Sequence, residues 1–326
     1  MKKLSRKLRE EITRFNADTN VHDLPEIFHY WSNKYLRPML EKFSICHPDD
    51  LFAENIFNSV ALCEQKHPVF LSIGAGNCDT EIRVAKQLKS KGLNEFCFEC
   101  LELSPDMLER GIALAEKEGV INNFSFIEAD ANRWHANKKY TSIMANQSLH
   151  HIENLESVFR EIKKSLCEDG TFIISDIIGR NGHQRWTEAL DPVNSFWNKL
   201  AQKYKYNHML RRFEEKYENW DCSKEGFEGI RAQDILPLLI KEFHFQFFIG
   251  FGNVIDIFID RAFGHNFNPN NKWDTDFIDE VHKFDEDSIC KGTIKPTHIM
   301  AVMKKHPVKM PVYSRGLSPE HCVRYP

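Results

Sequence analysis

Thirteen residues constrain this chain more than any others: Val69 to Glu81, VFLSIGAGNCDTE. Val69, Phe70, Leu71 and Ile73 suit a strand buried on both faces of a parallel sheet, and Gly74 and Gly76 end it where the backbone must turn sharply. A helix expected from about Asp79 would aim its free N–H groups at the same corner, and two residues without Cβ let a ligand touch main chain there. A nucleoside cofactor suits such a corner. In a dinucleotide fingerprint, G-x-G-x-x-G, the last position is small and the helix start faces a pyrophosphate. Here that position is Asp79, whose carboxylate would crowd the packing and repel phosphate. A cationic cofactor without phosphate fits better.

Downstream, strand and helix patterns alternate, which predicts a parallel sheet with helices on both faces. Ile82, Val84, Ala85 and Leu88 give the first helix its apolar face. A second strand, Glu95 to Leu101, ends at Glu102-Leu103-Ser104-Pro105. Ser104 as N-cap and Pro105 at the first helical position start a helix to about Glu118. Glu102 therefore stands beside the glycine turn, where a carboxylate can accept from both ribose hydroxyls. A third strand, Phe124 to Glu128, is followed by Asp130, Ala131 and Asn132. A fourth, Tyr140 to Ala145, leads into Asn146-Gln147-Ser148-Leu149-His150-His151. After a helix carrying Leu155, Val158, Phe159, Ile162 and Leu166, a turn at Glu168-Asp169-Gly170 opens a fifth strand, Thr171 to Ile178.

Val69 to Ile178 resembles the class I S-adenosylmethionine-dependent methyltransferases, whose first motif is an apolar strand followed by a Gly-X-Gly turn. The family usually has an acid two places before the first glycine; this chain has Ser72. The resemblance implies an α/β, Rossmann-like, doubly wound and mostly parallel seven-stranded sheet. It implies S-adenosyl-L-methionine as cofactor, with Ser72, Gly74, Ala75 and Gly76 at the corner. Glu102 and Leu103 would take the ribose, Asp130 and Ala131 the adenine, and Asn146 and Gln147 the rim after the fourth strand. Ala232 to Phe243 (helix), His244 to Gly250 (sixth strand) and Thr297 to Met303 (last strand) fit the same plan more loosely.

Outside this frame the chain divides into a helical arm or lid over 1–66, a catalytic domain over 67–305 and a tail over 306–326. Two segments interrupt the domain, 179–229 and 253–295. The first carries Trp186, Trp197, Tyr204, Tyr206, Arg211, Arg212 and Trp220; it reads as helical with polar loops, and its place beyond the fifth strand puts it on the acceptor side. The second reads as irregular. In the arm, Leu4, Leu8, Ile12 and Phe15 recur at helical spacing among Lys2, Lys3, Arg6, Lys7 and Arg9, and Tyr30, Trp31, Tyr35 and Arg37 either pack or border the pocket. The tail, with Pro307, Pro311 and Pro319, is expected to be extended or loosely docked.

A formal net charge of -4 gives no global attraction for nucleic acid or membrane. The run after the fourth strand is Asn-Gln-Ser-Leu and not the Asn-Pro-Pro-aromatic often found in nucleic-acid methyltransferases. No apolar run approaches the roughly 20 residues a bilayer span needs, and the basic start MKKLSRKLREE lacks the apolar stretch of a secretory signal, so a cytoplasmic protein is expected. Nine cysteines are scattered, mostly in apolar contexts. Cys97 and Cys100 have metal-ligand spacing but lie in a strand, where residues three apart face opposite ways; His150 and His151 have no third ligand at metal spacing. No metal is expected. Methyl transfer from a sulfonium is an in-line displacement, and a hydroxyl acceptor gains from a base near the methyl. His150 and His151 are the candidates, one of them facing the pocket, with Asp176 as an orienting carboxylate or a satisfied strand-end residue; His183 and Trp186 are further ones. The expectation is a small-molecule acceptor, methylated on oxygen. A sugar or lipid-linked intermediate, or a non-catalytic protein that binds the cofactor, are the alternatives; oligomeric state is unreadable.

Overall fold

A computed structural model describes residues 24–63, 65–224 and 226–326. The basic amphipathic stretch around Leu4 to Phe15 lies outside them. Ten strands are present among the described residues, eight in one sheet. In chain order they are β1 (Val69–Ile73), β2 (Cys97–Glu102), β3 (Phe124–Glu128), β4 (Tyr140–Asn146), β5 (Leu166–Ile177), β6 (Tyr206–Asn207), β7 (Arg212–Phe213), β8 (His244–Phe251), β9 (His298–Lys304) and β10 (Val312–Tyr313). The large sheet runs β10-β8-β9-β5-β4-β1-β2-β3, and β6-β7 form a separate two-stranded ribbon. β1 to β5 pair in parallel, whereas β9 is antiparallel to both β5 and β8. From β1 the chain moves to β2 and β3 on one side, then returns to place β4 and β5 on the other. The reversal between β1 and β4 opens a crevice beyond their carboxyl ends, where ligands of such sheets bind.

The central strands form because their residues are buried on both faces. Phe70, Leu71 and Ile73 of β1 are at most 1 % exposed, and each such side chain contributes about 1.5–3 kcal/mol through burial. Helix α4 (Asp79–Ser90) buries Ile82, Val84, Ala85 and Leu88, as its spacing predicts. Helix α5 (Pro105–Lys117) starts as expected: Ser104 Oγ accepts from Met107 N–H and Pro105 fills the first turn. Helix α6 (Leu155–Ser165) turns Leu155, Val158, Phe159 and Ile162 inward.

Several boundaries differ from the sequence reading. The turn expected at Glu168 to Gly170 lies within β5, where the pairing with β4 shifts register between Tyr140 and Ser142. The segment 179–229 contains α7 (Thr187–Lys199), short 3-10 turns and the β6-β7 ribbon. Helix α8 (Ala232–Glu242) follows it. The segment 253–295, expected to be irregular, holds the short α9 (Asp256–Ile259) and the long α10 (Lys272–Lys291). The tail is docked: β10 adds a parallel strand to the edge of β8, and α11 (Pro319–Cys322) follows it. The sheet therefore has eight strands and not seven.

The arm contributes α1 (Glu26–Trp31), a π-helical turn over Ser32–Leu36, α2 (Arg37–Glu41) and α3 (Pro48–Cys63). Tyr30 and Tyr35 both donate to Asp279 of α10, and the Trp31 indole donates to His282. Arg37 pairs with Glu41 at the surface. No described helix is long and apolar enough to cross a membrane.

Candidate active site

The corner after β1 is pinned before any ligand is considered. Gly74 and Ala75 N–H both donate to Leu101 O at the end of β2 (2.8 and 3.1 Å), and Gly74 and Gly76 have positive φ (69° and 56°). The two glycines serve different purposes. A Cβ on Gly74 would sit 2.6 Å from Ser148 Cβ, so Gly74 is where the loop after β4 closes onto β1. A Cβ on Gly76 would meet nothing within 4 Å among the described residues, so that side of the corner is open.

Glu102 is buried at the end of β2 and holds this corner. Its Oε2 accepts from Gly76 N–H (2.9 Å), and its Oε1 from Leu103 N–H (2.7 Å) and Ser104 N–H (3.0 Å). A carboxylate offers about four acceptor sites, so backbone occupies most of them. Asp130 caps the 3-10 turn Ala131–Arg133, its Oδ1 accepting from Asn132 N–H and Asn132 Nδ2. Asn132 in turn accepts from Glu153 and Asn154 N–H, tying the turn after β3 to the loop after β4.

Ser72 stands where the resemblance leads one to expect an acid, and a carboxylate reaches that spot from elsewhere. Ser72 Oγ donates to Glu81 Oε1 of α4 at 2.6 Å. Glu81 is buried, its Oε2 has no hydrogen-bond partner among the described residues, and burial pushes its pKa up to about 7. Sequence reasoning missed Glu81, although it lies on the buried stripe of α4 with Ala85 and Leu88, where an acid is out of place.

The loop after β4 is held by Asp176. Asp176 Oδ2 accepts from Ser148 and Leu149 N–H (3.0 and 2.8 Å), and Oδ1 accepts from Ile177 N–H (2.8 Å) and His150 Nδ1 (2.7 Å). Fully buried and saturated by four donors, it orients the loop and the His150 ring. Gln147 adopts a positive φ of 54° and donates its N–H to Ser175 O, while Asn146 Nδ2 donates to Thr80 Oγ1 (3.1 Å).

His150 and His151 then meet two residues from the distant insertion. Glu228 Oε1 lies 2.6 Å from His183 Nε2 and 3.4 Å from His150 Nε2, and Glu228 Oε2 is 3.7 Å from His151 Nε2. The backbone fixes this meeting: Ile230 N–H donates to His150 O, and Gly182 N–H to Gly229 O. Arg231 clamps it, with two hydrogen bonds to Glu156 and one to Glu153 O. Burial works against charge on His150, yet Asp176 and then Glu228 lift its pKa to about 10, so in this arrangement it is an imidazolium between two carboxylates. Burial also opposes charge on Glu228 and Asp176, but the histidines hold both below the usual carboxylate range. His183 is pushed down, first by burial and then by the neighbouring His150 charge. His150 is 4 % exposed and His151 22 %, so His151 is the more accessible of the pair.

Trp186 has other partners, its ring lying under the guanidinium groups of Arg180 (5.0 Å) and Arg324 (4.5 Å). Glu228 was absent from the sequence reading. Its signal was local, an acid in Gly226-Phe-Glu-Gly229 at the end of a long insertion.

Residues 64–221 match the model of a family described as a methyltransferase domain. No curated protein matches the chain. Among solved structures, an O-methyltransferase from a trans-AT PKS multienzyme of Brevibacillus brevis, in complex with S-adenosyl-L-homocysteine, is 14 % identical. That match covers 82 % of this chain and 75 % of that one, at a TM-score of 0.43. The geranyl diphosphate C-methyltransferase of Streptomyces coelicolor A3(2) is 9 % identical, with 78 % of each chain covered and a TM-score of 0.43. At such values the likeness carries no argument about the acceptor. The domain match and the ordered set Gly74, Gly76, Glu102 and Asp130 at the ends of β1 to β3 point the same way: residues 64–221, just under half of the chain, carry a methyltransferase domain of the class I, S-adenosylmethionine-dependent kind.

Proposed function

We propose that the enzyme transfers the methyl group of S-adenosylmethionine to an oxygen of a small-molecule acceptor. The observation that carries this reading is the gathering of His150, His151, His183 and Glu228 at the loop after β4, whose Ser148 packs on Gly74. Displacement at the sulfonium carbon demands alignment and exclusion of water, and a hydroxyl nucleophile demands a place for its proton. In this reading Ser72, Gly74, Ala75 and Gly76 receive the methionine end. Glu102 and Leu103 receive the ribose, Asp130 and Ala131 the adenine, and Asn146 and Gln147 border the reacting sulfur. Glu102 exchanges its Gly76 hydrogen bond for ribose hydroxyls as the cofactor enters. His151, the more accessible imidazole, meets the acceptor hydroxyl; His150 and Asp176 act through it as positioning residues. The arm and the insertion 179–229 cap the acceptor side of the domain at 67–305, in a cytoplasmic setting and without nucleic acid.

The test uses cofactor labelled with carbon-13 in its methyl group, incubated with fractionated small-molecule extract. The carbon shift of the product distinguishes methyl on oxygen from methyl on nitrogen or carbon. Methyl on oxygen is expected; methyl on carbon or nitrogen overturns the acceptor assignment, and cofactor binding with no transfer to any fraction overturns the enzymatic reading.

A further inference from the structure

We propose that His150, His183 and Glu228 form a binding site for one divalent transition-metal ion of the zinc and iron(II) class. The ligand atoms of the three residues all lie within 4.8 Å of one another. Two of the separations are shorter still: His183 Nε2 to Glu228 Oε1 is 2.6 Å and His150 Nε2 to Glu228 Oε1 is 3.4 Å. Donors bound to one such ion at about 2.0–2.2 Å stand roughly 3 to 3.5 Å from each other, so small side-chain movements suffice to close the set. Two imidazoles and one carboxylate select zinc or iron(II) over magnesium or calcium, which prefer all-oxygen surroundings.

Two further features belong to metal sites and not to a chance knot of side chains. Asp176 accepts from His150 Nδ1 at 2.7 Å, which fixes the ring and leaves Nε2 aimed at the shared point; a carboxylate behind a ligating imidazole is the usual support for one. The donors are also held on rigid backbone. Ile230 N–H bonds His150 O and Gly182 N–H bonds Gly229 O, locking the three ligand-bearing segments together independently of the side chains. A Cβ on Gly229 would lie 3.0 Å from the Gly182 nitrogen and from His183 Cε1, so only glycine lets this backbone pass so close to the His183 segment. Three protein donors leave coordination positions for an oxygen of the acceptor, whose proton the ion would make easier to lose. That use rests on the function proposed above; occupancy of the site does not.

The full chain, stripped with a chelator and dialysed, is titrated with cobalt(II) and zinc. One ion per chain is expected, with a visible ligand-field band for cobalt and competition by zinc. His183→Ala and Glu228→Gln should each weaken binding at least tenfold while S-adenosylmethionine affinity, read by calorimetry, and near-ultraviolet dichroism remain. A chain that binds no ion, or variants that bind as tightly as the wild type, overturns the proposal. X-ray absorption of the zinc-loaded wild type needs no substitution: imidazole scattering supports the site, and an all-oxygen shell overturns it. Because cofactor affinity is read separately, loss of the metal site and loss of the methyltransferase reading are distinguishable.

Discussion

Glu81 lies close to the glycine corner with one oxygen on Ser72 and the other without a partner among the described residues. Burial raises its pKa to about 7, so the native chain keeps a proton that the unfolded chain releases near the ordinary carboxylate value of 4.5. Its contribution is fully present below about pH 4.5 and is lost as pH rises through about 7. That loss is worth about 3 kcal/mol. Glu81→Gln has no such proton to lose, so relative to wild type it should gain about that much between pH 4.5 and pH 8 in urea unfolding; parallel pH profiles would refute the burial argument. Glu102 makes the complementary case. Glu102→Ala removes the acceptor of Gly76, Leu103 and Ser104 N–H together with the proposed ribose contact, and should weaken cofactor binding by about 1–3 kcal/mol in calorimetry. Unchanged affinity would place the ribose elsewhere. The places of Glu102 and Asp130 in the fold were legible because one ends β2 and the other stands just past β3, where order along the chain fixes position along the rim. Glu81 was hidden by its periodicity, one acid on a stripe otherwise apolar.

Helix α10 shows why element type was harder to read than site position. Its buried stripe includes Phe277, Ile278, Val281 and Ile289 but also Asp274 and Asp285, so charge interrupts the apolar pattern that signals a helix. The caps were nevertheless written in the sequence: Asn271 accepts from Trp273 and Asp274 N–H, and Gly292 ends the helix with a φ of 74°. On the outer face of the same helix Asp279 gathers Tyr30, Lys34 and Tyr35, and so fastens the arm. These contacts are partly exposed, and each contributes modestly. Asp279→Ala should therefore raise amide exchange across residues 26–41 while leaving the global unfolding midpoint nearly unchanged. Exchange as slow as in wild type would mean that Trp31, buried against the same helix, is a sufficient anchor by itself.

At the scale of the whole molecule, the two features least visible in the sequence are both long-range closures. The imidazole cluster joins His150 to Glu228 across the insertion, a pairing that no local spacing announces. The tail, read from its prolines as extended or loosely docked, adds an edge strand to the sheet: Val312 and Tyr313 pair with Phe247 and Phe248 of β8. Arg315 then bonds Gly250 O and Glu286, and Lys295 Nζ donates to His321 O. Prolines do not prevent this, because Pro307 and Pro311 precede the two paired residues and Pro319 sits in the first turn of α11, where a missing N–H costs nothing. An uncovered β8 would present the unpaired backbone of a phenylalanine-rich edge, which templates aggregation. Leu317 and Val323 are also buried, each worth about 1.5–3 kcal/mol. Deleting residues 311–326 should therefore lower Tm by about 5–10 °C. It should also produce concentration-dependent association in analytical ultracentrifugation, whereas a truncated chain that stays monomeric at wild-type Tm would show that β8 tolerates an open edge.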